Sequence, residues 1–206
     1  MKRKIILAVM CIAGVMMMAA TCFAGEGHFQ KIYEETLGMH DLAQDEAVSK
    51  DFTINEGKLV IQIRKLRNEG NDKKYHLLVK LKDKRIADEY FPTVDGGYVF
   101  KVFKNTATND LFFAMSSFER AWLKGYSSYN KAYVTYADSQ NYRSEFPSVP
   151  VFAALQDGNL VLALVSKDRR ENPRWQEYLF VWDEESHWLS YSDEGVRYDR
   201  LNDISQ

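Results

Sequence analysis

From Asp51 onward, apolar side chains recur at every second position in short runs cut by turn residues, and this alternation commits the chain to β-sheet. Leu59, Ile61 and Ile63 fall on one face of an extended segment, with Gln62 and Arg64 on the other. Tyr75, Leu77, Val79 and Leu81 alternate with His76, Lys80 and Lys82 in the same way. Further strands are predicted over residues 98–103, 111–115, 132–137, 151–155, 160–165, 177–182, 188–191 and 196–198. Asp95-Gly96-Gly97, Asp157-Gly158-Asn159 and Asp193-Glu194-Gly195 supply turn chemistry between runs of Val, Ile, Phe, Tyr and Trp. Residues 160–165 lack the alternation, which predicts a strand covered on both faces.

Before Asp51 the pattern is different. Phe29, Ile32, Tyr33 and Leu37 follow i, i+3, i+4, i+8 spacing, and Gly38 stands where a left-handed helix cap is wanted. Asp41 can cap a second short turn. The expectation is therefore a short N-terminal helical segment over residues 25–50, followed by a single antiparallel all-β domain over 51–206.

That domain carries a faint repeat. Gly57-Lys58-Leu59, Asn109-Asp110-Leu111 and Gly158-Asn159-Leu160 each open a strand after a polar turn, and the three leucines are about 50 residues apart. Three four-stranded units of this length are compatible with a propeller-like arrangement, a trefoil-like barrel or a sandwich. Unrelated antiparallel meanders can generate the same spacing.

The first 24 residues read as a secretory signal: Lys2-Arg3-Lys4 is a positive start, residues 5–20 are apolar, and Cys22-Phe23-Ala24 places small residues for cleavage before Gly25. Two rivals are lipidation at Cys22 and retention as an uncleaved anchor, since residues 5–24 match the ~20 residues that span a bilayer. Either would supply the only membrane attachment expected. Both cysteines, Cys11 and Cys22, lie in this segment, so the cleaved chain has no disulfide, thiol nucleophile or cysteine metal ligand. Export, to the periplasm or beyond, follows as the expected localisation.

Residues 25–206 retain 24 of the 27 basic residues and all 29 acidic ones, a formal charge of −5. The basic clusters Lys80-Lys82-Lys84-Arg85 and Lys167-Arg169-Arg170 are short and sit beside acids, a composition that argues against nucleic acid as partner.

Catalytic patterns are sparse. His28, His40, His76 and His187 show no zinc-ligand spacing, and no cofactor or metal site is expected. Ser128-Tyr129-Asn130-Lys131 matches S-x-x-K, but the pattern needs the start of a buried helix and this stretch is a loop running into a strand. Asp88-Glu89, Asp183-Glu184-Glu185 and Asp193-Glu194 could pair for glycoside cleavage, or could be charged turns.

Aromatic side chains between residues 118 and 136 are the remaining signal. Trp122, Tyr133 and Tyr136 read as core, whereas Tyr126 and Tyr129, among Gly125, Ser127, Ser128 and Asn130, read as exposed ligand-binding candidates. Trp175, after Pro173-Arg174, is a third. The function expected is binding of a glycan or another envelope protein by an exported bacterial protein. A carboxylate-dependent hydrolase and an assembly protein pairing through sheet edges are the alternatives.

Overall fold

A computed structural model describes residues 27–37, 47–67, 73–92, 94, 96–155, 157–167 and 175–197. The signal segment at residues 1–24, the Gly38 cap and the turn at Asp41 lie outside the described residues. Within them the chain is all-β, with thirteen strands and one short 3-10 turn at Ser139–Asn141.

Three antiparallel sheets carry the fold. One is a meander of β2 (Ala47–Ile54), β3 (Gly57–Arg67), β4 (Lys73–Leu81) and β5 (Lys84–Pro92). A second meander, β6 (Tyr98–Asn105), β7 (Leu111–Ser116), β8 (Ala121–Ser127) and β9 (Ala132–Asp138), gains a fifth strand at its β6 edge from β1 (Phe29–Leu37). The third is β10 (Ser148–Ala154), β11 (Leu160–Ser166), β12 (Trp175–Asp183) and β13 (Trp188–Arg197). Leu59, Leu111 and Leu160 each fall at or near the start of the second strand of a meander, β3, β7 and β11.

The five-stranded sheet lies between the other two. Its Tyr98, Phe100, Leu111, Phe113 and Met115 pack with Leu59, Ile61, Ile63, Tyr75 and Leu77 of the β2–β5 sheet. Its opposite face sends Phe103, Phe112, Ala114 and Leu123 against Phe152, Leu160, Leu162 and Phe180 of the β10–β13 sheet. Every residue of β7 is buried, because both faces of that strand meet a neighbouring sheet. Full burial of one such Leu or Phe side chain is worth about 1.5–3 kcal/mol, so these two layers dominate the stability of the stack.

In the described part of residues 25–50 the expected helical segment is replaced by β1 and the start of β2. Its apparent helical period has a clear origin. Lys31 is opposite Phe103 and Tyr33 opposite Val102, so Ile32 is an extra residue that reverses the facing of the strand. Phe29, before the bulge, joins the core toward β10–β13, whereas Tyr33 and Leu37, after it, join the core toward β2–β5. A bulged strand with apolar cover on both sides thus produces spacing that resembles one face of a helix.

Other boundaries also move. Between the strands expected at residues 111–115 and 132–137, where no strand was predicted, the chain forms β8 and a tight turn into β9. β5 (Lys84–Pro92) is a strand that the alternation did not predict. Asp193-Glu194-Gly195 does not turn: it stays paired with residues 177–179 of β12, and β13 runs through a bulge as one strand.

Candidate ligand-binding site

At one end of the stack the turns β6–β7, β8–β9, β10–β11 and β12–β13 lie together with the start of β1. Local chemistry shapes each turn. In β8–β9, Ser127 Oγ accepts from the Asn130 backbone N–H at 3.2 Å and from Asn130 Nδ2 at 3.1 Å. Lys131 then leaves the turn at φ 51°. In β12–β13, Asp183 Oδ1 accepts from the backbone N–H groups of Glu185 (2.9 Å) and Ser186 (3.2 Å), and His187 closes the turn at φ 49°. Those backbone bonds, with Ser186 the largest contributor, hold the Asp183 carboxyl below its usual range.

The two turns meet through their tips. Tyr129, 64% exposed, stacks on the His187 imidazole with ring centroids 4.7 Å apart and planes 11° from parallel. Beneath the pair, Trp182 stands edge-on to His187 at 6.4 Å and contacts Phe112 at 5.5 Å and Tyr136 at 6.3 Å. Trp188 lies 4.9 Å from Tyr136 on the other side. The result is a wall of flat rings, exposed at Tyr129 and buried at Phe112 and Tyr136.

Polar groups are embedded in this wall. Asp110, 9% exposed, accepts from Ser128 Oγ at 3.0 Å, so the S-x-x-K serine is committed to a turn carboxylate and lies on no helix. The Tyr136 hydroxyl is buried without a well-formed hydrogen bond. Burial, reinforced by the Asp110 carboxylate and opposed by Ser127, pushes its pKa up to about 12, so it is a neutral donor at ordinary pH. Trp182 Nε1 and Asn105 Nδ2 are likewise buried donors without a partner among the described residues. Unpaired buried donors are uncommon in folded proteins. At the surface of this wall the exposed Tyr129 ring suits a ligand with a flat apolar face.

The three residues singled out from sequence separate into three layers. Tyr129 is at the exposed tip. Tyr126, expected to be exposed, is 8% exposed on β8, opposite Tyr133, and faces the β2–β5 sheet. Its alternation within β8 decides this, since Leu123 and Gly125 occupy the other face. Trp175, also expected at the surface, is 5% exposed on β12, among Ala153, Val161 and Ala163 on the far face of the third sheet. Its Nε1 donates to Glu177 Oε2 at 3.3 Å. Burial takes both out of an exposed aromatic patch. Sequence reasoning missed His187 as the partner of Tyr129, and Trp182 and Trp188 as members of the wall behind it. The available signal was a five-residue polar turn flanked by two tryptophans, but nothing local shows that it abuts β8–β9.

Acidic pairs are used elsewhere. Asp88 binds His76 at 2.7 Å and Arg85 at 2.6 Å, and Glu89 pairs with Lys124 across two sheets. Among the described residues no group of three or more His, Cys, Asp or Glu is placed to hold a metal ion. Comparison of the chain with protein-family models, curated proteins and solved structures gives no match in any of the three.

Proposed function

We propose that this chain is an exported bacterial envelope or extracellular protein that binds a glycan through the ring wall formed by Tyr129, His187 and Trp182. The observation that carries the reading is an exposed tyrosine held flat on an imidazole, with Trp182 edge-on beneath the imidazole. Sugar rings present an apolar C–H face, and the exposed Tyr129 ring offers it a flat, half-polar surface. Export rests on residues 1–24 and on a body without cysteine. The three meanders are read as copies of one unit of about 50 residues, which supports a scaffold with function in its turns. The hydrolase alternative is weakened by the employment of Asp183 in its own turn and of Asp88 and Glu89 in ion pairs.

The test is retention on insoluble peptidoglycan and immobilised cell-surface polysaccharides, wild type beside Tyr129→Ala. Wild type is expected to be retained and the variant to weaken at least tenfold, equivalent to about 1.4 kcal/mol. Tyr129 is exposed and caps nothing in the core, so the variant should fold. Equal retention of both proteins, or of neither, defeats the proposal.

A further inference from the structure

The outer face of the β2–β5 sheet, on the opposite side of the molecule from the ring wall, segregates charge. Leu59, Ile61 and Ile63 of β3 and Tyr75, Leu77 and Val79 of β4 point to the core, so their neighbours Lys58, Arg64, Lys74 and Lys80 point away from it. Arg85 joins them, opposite Lys80. Five cations therefore share one face. Among the described residues the strands place two acids on this face, Asp51, which binds Lys58 at 2.5 Å, and Asp88, held by Arg85 and His76, while Asp83 in the β4–β5 turn also acts on Lys58. Among the described residues Arg64, Lys74 and Lys80 remain as the excess, while residues 25–206 together carry a formal charge of −5.

This face also has an aromatic centre. Tyr90, 59% exposed, lies flat on the His76 imidazole with centroids 4.7 Å apart at 11°. His76 is opposite Arg64 on one side and Tyr90 on the other, so a guanidinium, an imidazole and a phenol occupy one row across three strands. Neighbouring strands lie about 4.8 Å apart and same-face residues about 6.7 Å apart along a strand, so Lys74 and Lys80 flank that row on β4 and the cations extend over roughly 20 Å. Tyr90 is the only large apolar side chain exposed on this face among the described residues, which provides little for insertion into lipid.

We propose that this face is a second binding surface, separate from the ring wall, for an acidic polysaccharide. Sugar rings would stack on Tyr90, and carboxylates would meet Arg64, Lys74 and Lys80. Overall charge opposes attraction to a polyanion, so retention would require the segregated face.

The probe is immobilised polygalacturonate, with anionic phospholipid vesicles and duplex DNA as parallel arms. Wild type is expected to be retained at low salt and released as salt approaches about 1 M, where screening acts within ~3 Å. Arg64→Glu/Lys80→Glu should elute unretained. Arg143→Glu/Lys167→Glu carries the same change of net charge at exposed positions off this face and should elute like wild type. Tyr90→Ala should be released at lower salt. Far-UV dichroism and thermal midpoint verify that each variant is folded. Unretained wild type, equal shifts in the two charge-reversed pairs, or binding to vesicles or DNA without binding to polygalacturonate overturns the proposal. Tyr129→Ala should leave this retention unchanged, so either surface can fail while the other stands.

Discussion

Phe112→Ala tests the layered packing most directly. Phe112 is fully buried on the face of β7 that meets the third sheet, and its ring contacts Phe29 at 5.4 Å, Tyr136 at 4.9 Å and Trp182 at 5.5 Å. These partners come from β1, β9 and β12, so truncation empties a space bounded by two sheets that cannot easily close. Loss of transfer energy plus the residual cavity should cost about 3–5 kcal/mol. At roughly 2–4 °C per kcal/mol for a domain of this size, the thermal midpoint should fall by about 6–20 °C. Urea unfolding followed by tryptophan emission reads the same loss as a midpoint shift at constant slope. Trp182 leans on the deleted ring, so its native emission should change as well. Phe112→Leu, which keeps more of the volume, should lose clearly less. A loss for Phe112→Ala within about 0.5 kcal/mol, the range of surface substitutions, would refute the packing of the third sheet on the second.

Two further outcomes follow from single contacts. A Cβ at Gly125 would lie 2.5 Å from the Leu111 carbonyl oxygen and 3.2 Å from the Tyr136 ring, so Gly125→Ala should destabilise by about 1–3 kcal/mol, read as a lower thermal midpoint. At Asp138, burial opposes the charged form, but two Arg120 bonds and the Gln140 backbone N–H outweigh it and hold the carboxyl below the usual carboxylate range. A depressed carboxylate stabilises the fold above its unfolded pKa and loses that contribution as pH falls through its folded one. Asp138→Asn should therefore flatten the acid limb of a stability profile measured from pH 5 down to about 2, and an unchanged limb would contradict this.

The β class was legible because alternation survives wherever one face of a strand meets solvent or charge, as in β3 and β4. It failed where a strand is covered on both faces or bulged. β1 read as helix because Ile32 shifts its facing, and β8 read as loop because small and polar residues such as Gly125 and Ser127 are buried there. The same blindness separated Tyr129 from its partners. Tyr129 was recognisable as a turn residue, but His187 and Trp182 reach it only through the stacking of two sheets, which no window of sequence records. Trp175 and Tyr126 were misjudged because flanking Pro, Ser and Gly describe the neighbourhood and say nothing of the layer above.

The anchoring of β1 fixes an order of events. Gly27 N–H reaches the Asp157 carbonyl at 3.1 Å and Phe29 N–H the Gly158 carbonyl at 2.8 Å, while Thr106 N–H bonds the His28 carbonyl at 2.7 Å. The backbones of Gly27 and Gly158 approach so closely that a methyl on either would overlap the other. A chain that emerges from its amino end presents β1 first, yet β1 has no strand to pair with until β6 appears and no seat for Gly27 until residue 158 has arrived. β1 is thus fastened in two stages, first along its length to β6 and then at its start to the β10–β11 turn, and a stop before residue 98 would leave it with no strand to pair with.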